Sequence, residues 1–211
     1  MFLETKDYPQ LIESLSNRLA SGTIDYPALS EDKRYEVLAD DPAWQELLAK
    51  AKESWDNAEP KRREEALKNR IGTPASVWEL PDAEGNTFKL QDYKGDVIVL
   101  DFWATWCGPC QKAMPALNNW IKHEMPKGTK VFSINLWDKG NADKAKQLFK
   151  DEGYAMTLLF GPDSLSKDYG FTGIPYICVI DKEGRIAYAQ SGFSPTLEEN
   201  LSFWVDTLIR E

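Results

Sequence analysis

Apolar positions along the first seventy residues recur at intervals of three and four, as in Leu11, Ile12, Leu15 and Leu19, and again in Trp44, Leu47, Leu48, Ala51 and Trp55. That is the period of a helix with one buried face. Turn chemistry at Ser21-Gly22, Asp25-Tyr26-Pro27 and Asp41-Pro42 divides the stretch into two or three helices. Pro42 after Asp40-Asp41 reads as a capped helix start. The charged run from Ala43 to about Arg70 reads as helix interrupted at Pro60.

From Ile71 the pattern changes to short β-like runs. Val77-Trp78-Glu79-Leu80 and Thr87-Phe88-Lys89-Leu90 flank a turn-rich loop over residues 82–86, the signature of a hairpin. Residues 96–103 are almost continuously apolar, as expected of a strand buried on both faces. Next, Ala113, Met114, Leu117, Trp120 and Ile121 keep helical spacing until Lys127-Gly128. Strands over 130–136 and 156–160 alternate with helices over 142–150 and 163–169. Residues 176–180 and 185–189 then form an antiparallel pair, before a last helix from about 195 to 209. The pattern predicts an α/β chain: a central mixed β-sheet flanked by helices, preceded by an N-terminal β-hairpin and a helical extension. The division is 1–70 for the extension and 71–211 for the α/β domain, with the ligand site at the carboxyl ends of the parallel strands.

Charge narrows the partners. The formal net charge of −9 is spread along the chain, about −4 over residues 1–70 and about −5 over the rest, so no basic surface is set aside for nucleic acid. The strongest basic cluster, Lys61-Arg62-Arg63, is interleaved with Glu59, Glu64 and Glu65 and reads as a solvated helix face. No apolar run reaches the roughly 18 residues of a membrane span, so a soluble chain with no transmembrane segment is expected. Met1-Phe2-Leu3 is followed at once by Glu4, Lys6 and Asp7, which is not a signal peptide. On that reading the chain is either cytoplasmic or given without its targeting segment.

Three cysteines in 211 residues cannot build a disulfide scaffold, and two of them, Cys107 and Cys110, stand three positions apart where the buried strand runs into a helix. A sulfur at a helix N-terminus meets unpaired N–H groups and the positive end of the dipole, which favour thiolate. Cys107 is therefore the expected nucleophile. Cys110, within the first helical turn, is the resolving thiol that closes a disulfide after attack. Pro109 suits a first helical turn, and Gly108 leaves room for a substrate chain. The competing reading is half a zinc site, which would need Cys178 and His123 to converge on the pair. Cys178, between Ile177 and Val179, reads instead as a small core hydrophobe, and His123 as a complement to its helix's negative end.

The run ending in Trp106-Cys107-Gly108-Pro109-Cys110, and the later Gly173-Ile174-Pro175 with its strand and turn to Gly184, resemble the two signature regions of the thioredoxin superfamily. The approach over Leu90 to Gly95 and the inserted helix-strand segment over 142–160 resemble its bacterial TlpA/ResA-like branch of thiol-disulfide oxidoreductases. The resemblance covers about residues 71–211. It implies a thioredoxin-like fold whose only redox group is the Cys107–Cys110 disulfide, with no bound cofactor and no metal. It further implies a cis proline at Pro175 facing the pair, with the backbone of Ile174 and the surface of Trp106, Gly108 and Pro109 receiving the substrate. Asp101 falls where thioredoxins carry a buried carboxylate that moves the resolving thiol's proton. The lysine that accompanies that carboxylate in thioredoxin itself is replaced, the matching position being near Ser133.

The Gly-Pro pair between the cysteines and Ile174 before the proline resemble reducing members. The implied function is an enzyme that reduces protein disulfides, with oxidant or isomerase as the alternative direction. Protein thiols and disulfides, together with an electron-donor reductase that is membrane-bound in that branch, are the implied partners. The implied compartment is the periplasm or another extracytoplasmic space. Two further alternatives stand beside it: a peroxidase, for which the upstream Thr-x-x-Cys arrangement is missing, and a partner-binding module that docks through residues 1–70. Among the tryptophans, Trp103 reads as core, whereas Trp137 either lines a substrate groove or packs beneath the inserted segment.

Overall fold

Asp7 and Asp41 start the two longest helices of the N-terminal part by accepting first-turn N–H groups, at 3.3 Å from Gln10 and 2.8 Å from Ala43. The computed structural model describes residues 7–21, 26–30 and 32–211. The chain divides into two compact units, 1–69 and 70–211. The first holds helices α1 (Tyr8–Ala20) and α2 (Tyr26–Ser30), a 3₁₀ helix (Lys33–Leu38) and α3 (Pro42–Lys68). Its core is Leu11, Leu15, Leu29, Leu38, Trp44, Leu47 and Ala51. The expected break at Pro60 does not occur: α3 runs through it. A proline removes one N–H bond and crowds the preceding turn, which a long helix absorbs. The turn residues Gly22 and Asp25, the amino-terminal Met1-Phe2-Leu3, and the side chains of Arg62 and Arg63 lie outside the described residues.

The second unit is built on a six-stranded mixed sheet. Its strands are β1 (Thr73–Pro74), β4 (Val97–Trp103), β5 (Thr129–Asn135), β6 (Thr157–Phe160), β7 (Tyr176–Ile180) and β8 (Arg185–Ser191), in the spatial order β1-β8-β7-β4-β5-β6. Strands β4, β5 and β6 are parallel, and β7, β8 and β1 join antiparallel. A separate antiparallel pair, β2 (Glu79–Pro81) and β3 (Thr87–Lys89), sets Leu80 opposite Phe88. The first strand of the unit is thus the two-residue edge β1, which the sequence reading did not anticipate.

Every residue of β4 is buried, because strands pair on both sides of it and both of its faces are covered. Alternation divides its side chains. Val97, Val99 and Trp103 face a core completed by α4 (Gly108–His123), α7 (Leu197–Arg210) and Ala145 of α5 (Ala142–Glu152). Ile98, Leu100 and Phe102 face a second core closed by Trp78, Leu80 and Leu90 and by Leu165 of the short α6 (Leu165–Asp168). The redox site stands where β4 ends and α4 begins.

Candidate active site

Cys107 is the N-cap of α4, with extended backbone (φ −83°, ψ 97°), and its Sγ accepts the N–H of Cys110 at 3.2 Å. The N-cap geometry thus brings the two cysteines together, and they are joined as a disulfide. Cys110 is fully buried and Cys107 is 3% exposed, while Trp106, Gly108 and Pro109 are exposed around them. Trp106 is 59% exposed, unusual for a tryptophan, and its indole N–H donates to the carbonyl of Trp137 at 3.1 Å.

Opposite the pair, the Ile174–Pro175 peptide bond is cis, and the Ile174 carbonyl oxygen lies 3.7 Å from Cys107 Sγ. Ile174 is half-buried and Pro175 buried. The Pro175 carbonyl accepts the N–H of Gly192 at 2.8 Å, which leaves Phe193, 42% exposed, one residue further along the same edge. The disulfide is therefore bordered by exposed aromatic surface and by backbone that has turned toward it.

Asp101 sits mid-sheet, paired with Ser133 on β5 and Ile177 on β7, and is 1% exposed. Its parity with Val99 and Trp103 sets it on the face that carries Cys107, Cys110 and Met114. The Ser133 hydroxyl donates to Oδ2 at 2.9 Å, and Oδ1 has no partner. Burial raises the Asp101 pKa to about 7, and the Ser133 hydrogen bond acts against that rise.

The residues needed for a zinc site stand apart. Cys178 pairs with Leu100 in the sheet and faces the other core, where burial drives its thiol pKa upward. His123 ends α4, about 22 Å along the helix from its start. Trp103 is buried against Phe149, ring centroids 5.6 Å apart. Trp137 packs its ring on Phe171, centroids 5.9 Å apart, at the margin of the second core, and its backbone carbonyl accepts the indole N–H of Trp106.

The sequence reading passed over Asp138, a buried carboxylate bonded to Thr105, and Gln111, whose side-chain amide donates to the Thr105 carbonyl at 2.9 Å. The available signal was position: an acidic residue three places beyond β5, at the carboxyl edge of the parallel strands.

The sequence profile of the redoxin family matches residues 67–202. The thiol-disulfide oxidoreductase ResA of Geobacillus thermodenitrificans is 30% identical over 118 residues, covering 55% of this chain and 66% of that protein. ResA of Bacillus thuringiensis subsp. konkukian is 31% identical over 119 residues, covering 56% and 68%. The matched region thus spans about two thirds of these relatives' length. In fold, a thioredoxin-family thiol:disulfide interchange protein from Chlorobium tepidum TLS superposes with a TM-score of 0.58, at 22% identity, over 67% of this chain and 99% of that one. Matching residues on both sides of the Cys107–Cys110 pair, at this extent, make the chain a member of the redoxin family, related to the ResA/TlpA-like thiol-disulfide oxidoreductases.

Proposed function

We propose that this protein reduces disulfides in other proteins, with Cys107 attacking and Cys110 resolving. One observation carries the reading: a disulfide capping α4, with exposed Trp106 beside it and the Ile174 carbonyl 3.7 Å from Cys107 Sγ. In the reduced protein the Cys107 thiolate attacks one sulfur of a substrate disulfide, and the other sulfur leaves as a thiolate. Cys110 then gives up its proton and attacks Cys107 Sγ, so that the mixed disulfide breaks and the second substrate sulfur departs. Two electrons have passed to the substrate, which leaves as two thiols once protonated, and the Cys107–Cys110 bond has formed. Asp101 is the acceptor for the Cys110 proton, a role suited to a carboxyl group with a pKa of about 7 on that sheet face.

The substrate enters as an extended segment along Ile174 and Pro175, over the surface of Trp106, Gly108 and Pro109. A donor reductase then returns the pair to the dithiol form. The extracytoplasmic compartment goes with this reading, supported by the similarity to ResA. No helix among the described residues is long and apolar enough to cross a membrane.

The deciding measurement is the reduction potential of the pair, equilibrated against glutathione or dithiothreitol, alongside insulin-disulfide reduction by wild type and Cys107→Ser. A potential near or below about −250 mV, with turnover abolished by Cys107→Ser, is expected. A potential of about −120 to −180 mV would instead make the protein an oxidant or isomerase.

A further inference from the structure

Thr105, two residues before the attacking sulfur, has every polar group engaged. Its N–H donates to Asp138 Oδ2 at 2.7 Å and its hydroxyl to Asp138 Oδ1 at 2.8 Å, while its carbonyl accepts from Gln111 Nε2 at 2.9 Å. Asp138 is 9% exposed and takes two more donors: Asn135 Nδ2 to Oδ2 at 2.9 Å, and Asn141 Nδ2 to Oδ1 at 3.5 Å. A carboxylate offers about four acceptor sites. Those of Asp138 are all used, two of them on one residue of the active-site turn.

The neighbouring residue is tied to the same segment. Trp106 donates to the Trp137 carbonyl, and Trp137 holds a left-handed backbone (φ 60°) with its N–H donating to Asp163 Oδ1 at 3.0 Å. A non-glycine residue in that region is held there by its surroundings. Residues 104–107 lie beyond the last ladder pair of β4, so the sheet itself does not fix them. Whatever fixes Thr105 and Trp106 sets how Cys107 is presented.

We propose that Asp138 is a positioning residue for the exchange reaction: through Thr105 it holds the turn that carries Cys107, keeping its sulfur at the α4 cap and beside the Ile174 carbonyl. The proposal rests on Cys107 being the attacking sulfur. Asp138 touches neither sulfur, so its effect runs through geometry. Displacing reacting atoms by about 1 Å is enough to slow a reaction by one to two orders of magnitude.

The test is the fast phase of attack by the reduced protein on a small aromatic disulfide, 5,5′-dithiobis(2-nitrobenzoate), which reports on Cys107 whatever the natural substrate. Cys178, buried on the other sheet face, does not compete in that phase. Asp138→Ala should slow it about tenfold. Asp138→Asn should recover to within about threefold, because the amide oxygen still accepts from Thr105 N–H and the Thr105 hydroxyl can accept from the amide nitrogen. Thr105→Val, which keeps the shape and deletes one bond, should lose about threefold and decides the matter if Asp138→Ala does not fold. Wild-type rates in the folded Asp138→Ala and Thr105→Val variants would overturn the proposal, because a purely structural residue lowers the melting temperature without touching this rate. Equal losses in Asp138→Asn and Asp138→Ala would overturn it as well, since charge would then be what matters. A Cys107→Ser protein that reacts as fast as wild type would remove the attacking-sulfur reading and this proposal together. Wild type that attacks the aromatic disulfide but leaves insulin intact would count against the protein-disulfide reading alone.

Discussion

Asp101 has one hydrogen bond, from Ser133, one carboxyl oxygen with no partner, and strands on both sides. With its pKa raised to about 7, it binds a proton in the folded protein where the unfolded chain, with an aspartate value near 3.9, does not. The sign follows from proton counting. Its contribution to stability is fully present below about pH 4, falls as pH rises toward 7, and is flat above. Relative to Asp101→Asn, wild type should therefore lose on the order of 3 to 4 kcal/mol between pH 4 and pH 8, measured by urea unfolding of both proteins at both pH values. A difference between the two proteins that does not change with pH would show that Asp101 titrates normally. Ser133→Ala removes the contact that opposes the rise, so the pH midpoint of this effect should move upward. Cys107 and Cys110 are legible in the sequence because their chemistry is local, two sulfurs one turn apart where a strand runs into a helix, whereas the cis bond at Pro175 and the role of Asp101 are legible only through the thioredoxin resemblance. Asp138 is legible in neither way, because its meaning lies in a contact with Thr105, 33 residues away along the chain.

Strand β4, helix α4 and strands β5 and β7 follow their apolar periods, since each meets the core along its full length. Edge β1 carries no such period: Thr73 and Pro74 form a strand only because β8 presents Ile186 and Arg185 to them, and proline is tolerated at an edge. Gly161 marks another contact invisible to pattern. It follows β6, its N–H donates to the Asn135 carbonyl at 2.9 Å, and a Cβ there would stand 2.7 Å from Leu165 Cδ1 and 2.8 Å from Ile134 Cγ2. The glycine therefore lets α6 close onto the sheet. Leu165 has rotamers to move into, whereas the Ile134 methyl is stiff within β5. Gly161→Ala should cost about 1 to 3 kcal/mol in urea unfolding. A change below about 0.5 kcal/mol would mean that the two side chains make room without strain.

At the scale of the whole molecule, the described buried residues fall into separate cores. The two faces of the sheet are built from residues between Ala75 and Ile209, and the helical unit from residues between Tyr8 and Ala51. The sheet unit also fastens its own ends. Arg70 donates to the buried Asp181 at 2.7 Å and to Glu211 at 2.8 Å, and the N–H groups of Ile71 and Gly72 bond to the carbonyls of Ala187 and Ile186. Asp181 in turn organises the β7–β8 turn by accepting the Glu183 and Arg185 N–H groups. A fragment comprising residues 70–211 therefore keeps every contact described around the disulfide, and cutting after Arg70 would remove the partner of a buried carboxylate. The fragment should fold cooperatively, with the reduction potential of the full chain within about 10 mV and its rate toward the aromatic disulfide within about twofold. Starting instead at residue 71 should cost about 1 to 3 kcal/mol in urea. If the 70–211 fragment folds but its potential moves by about 30 mV, roughly tenfold in equilibrium constant, the helical unit takes part in the redox chemistry. An unchanged potential with slower reduction of a protein disulfide alone would give residues 1–69 a role in receiving the substrate.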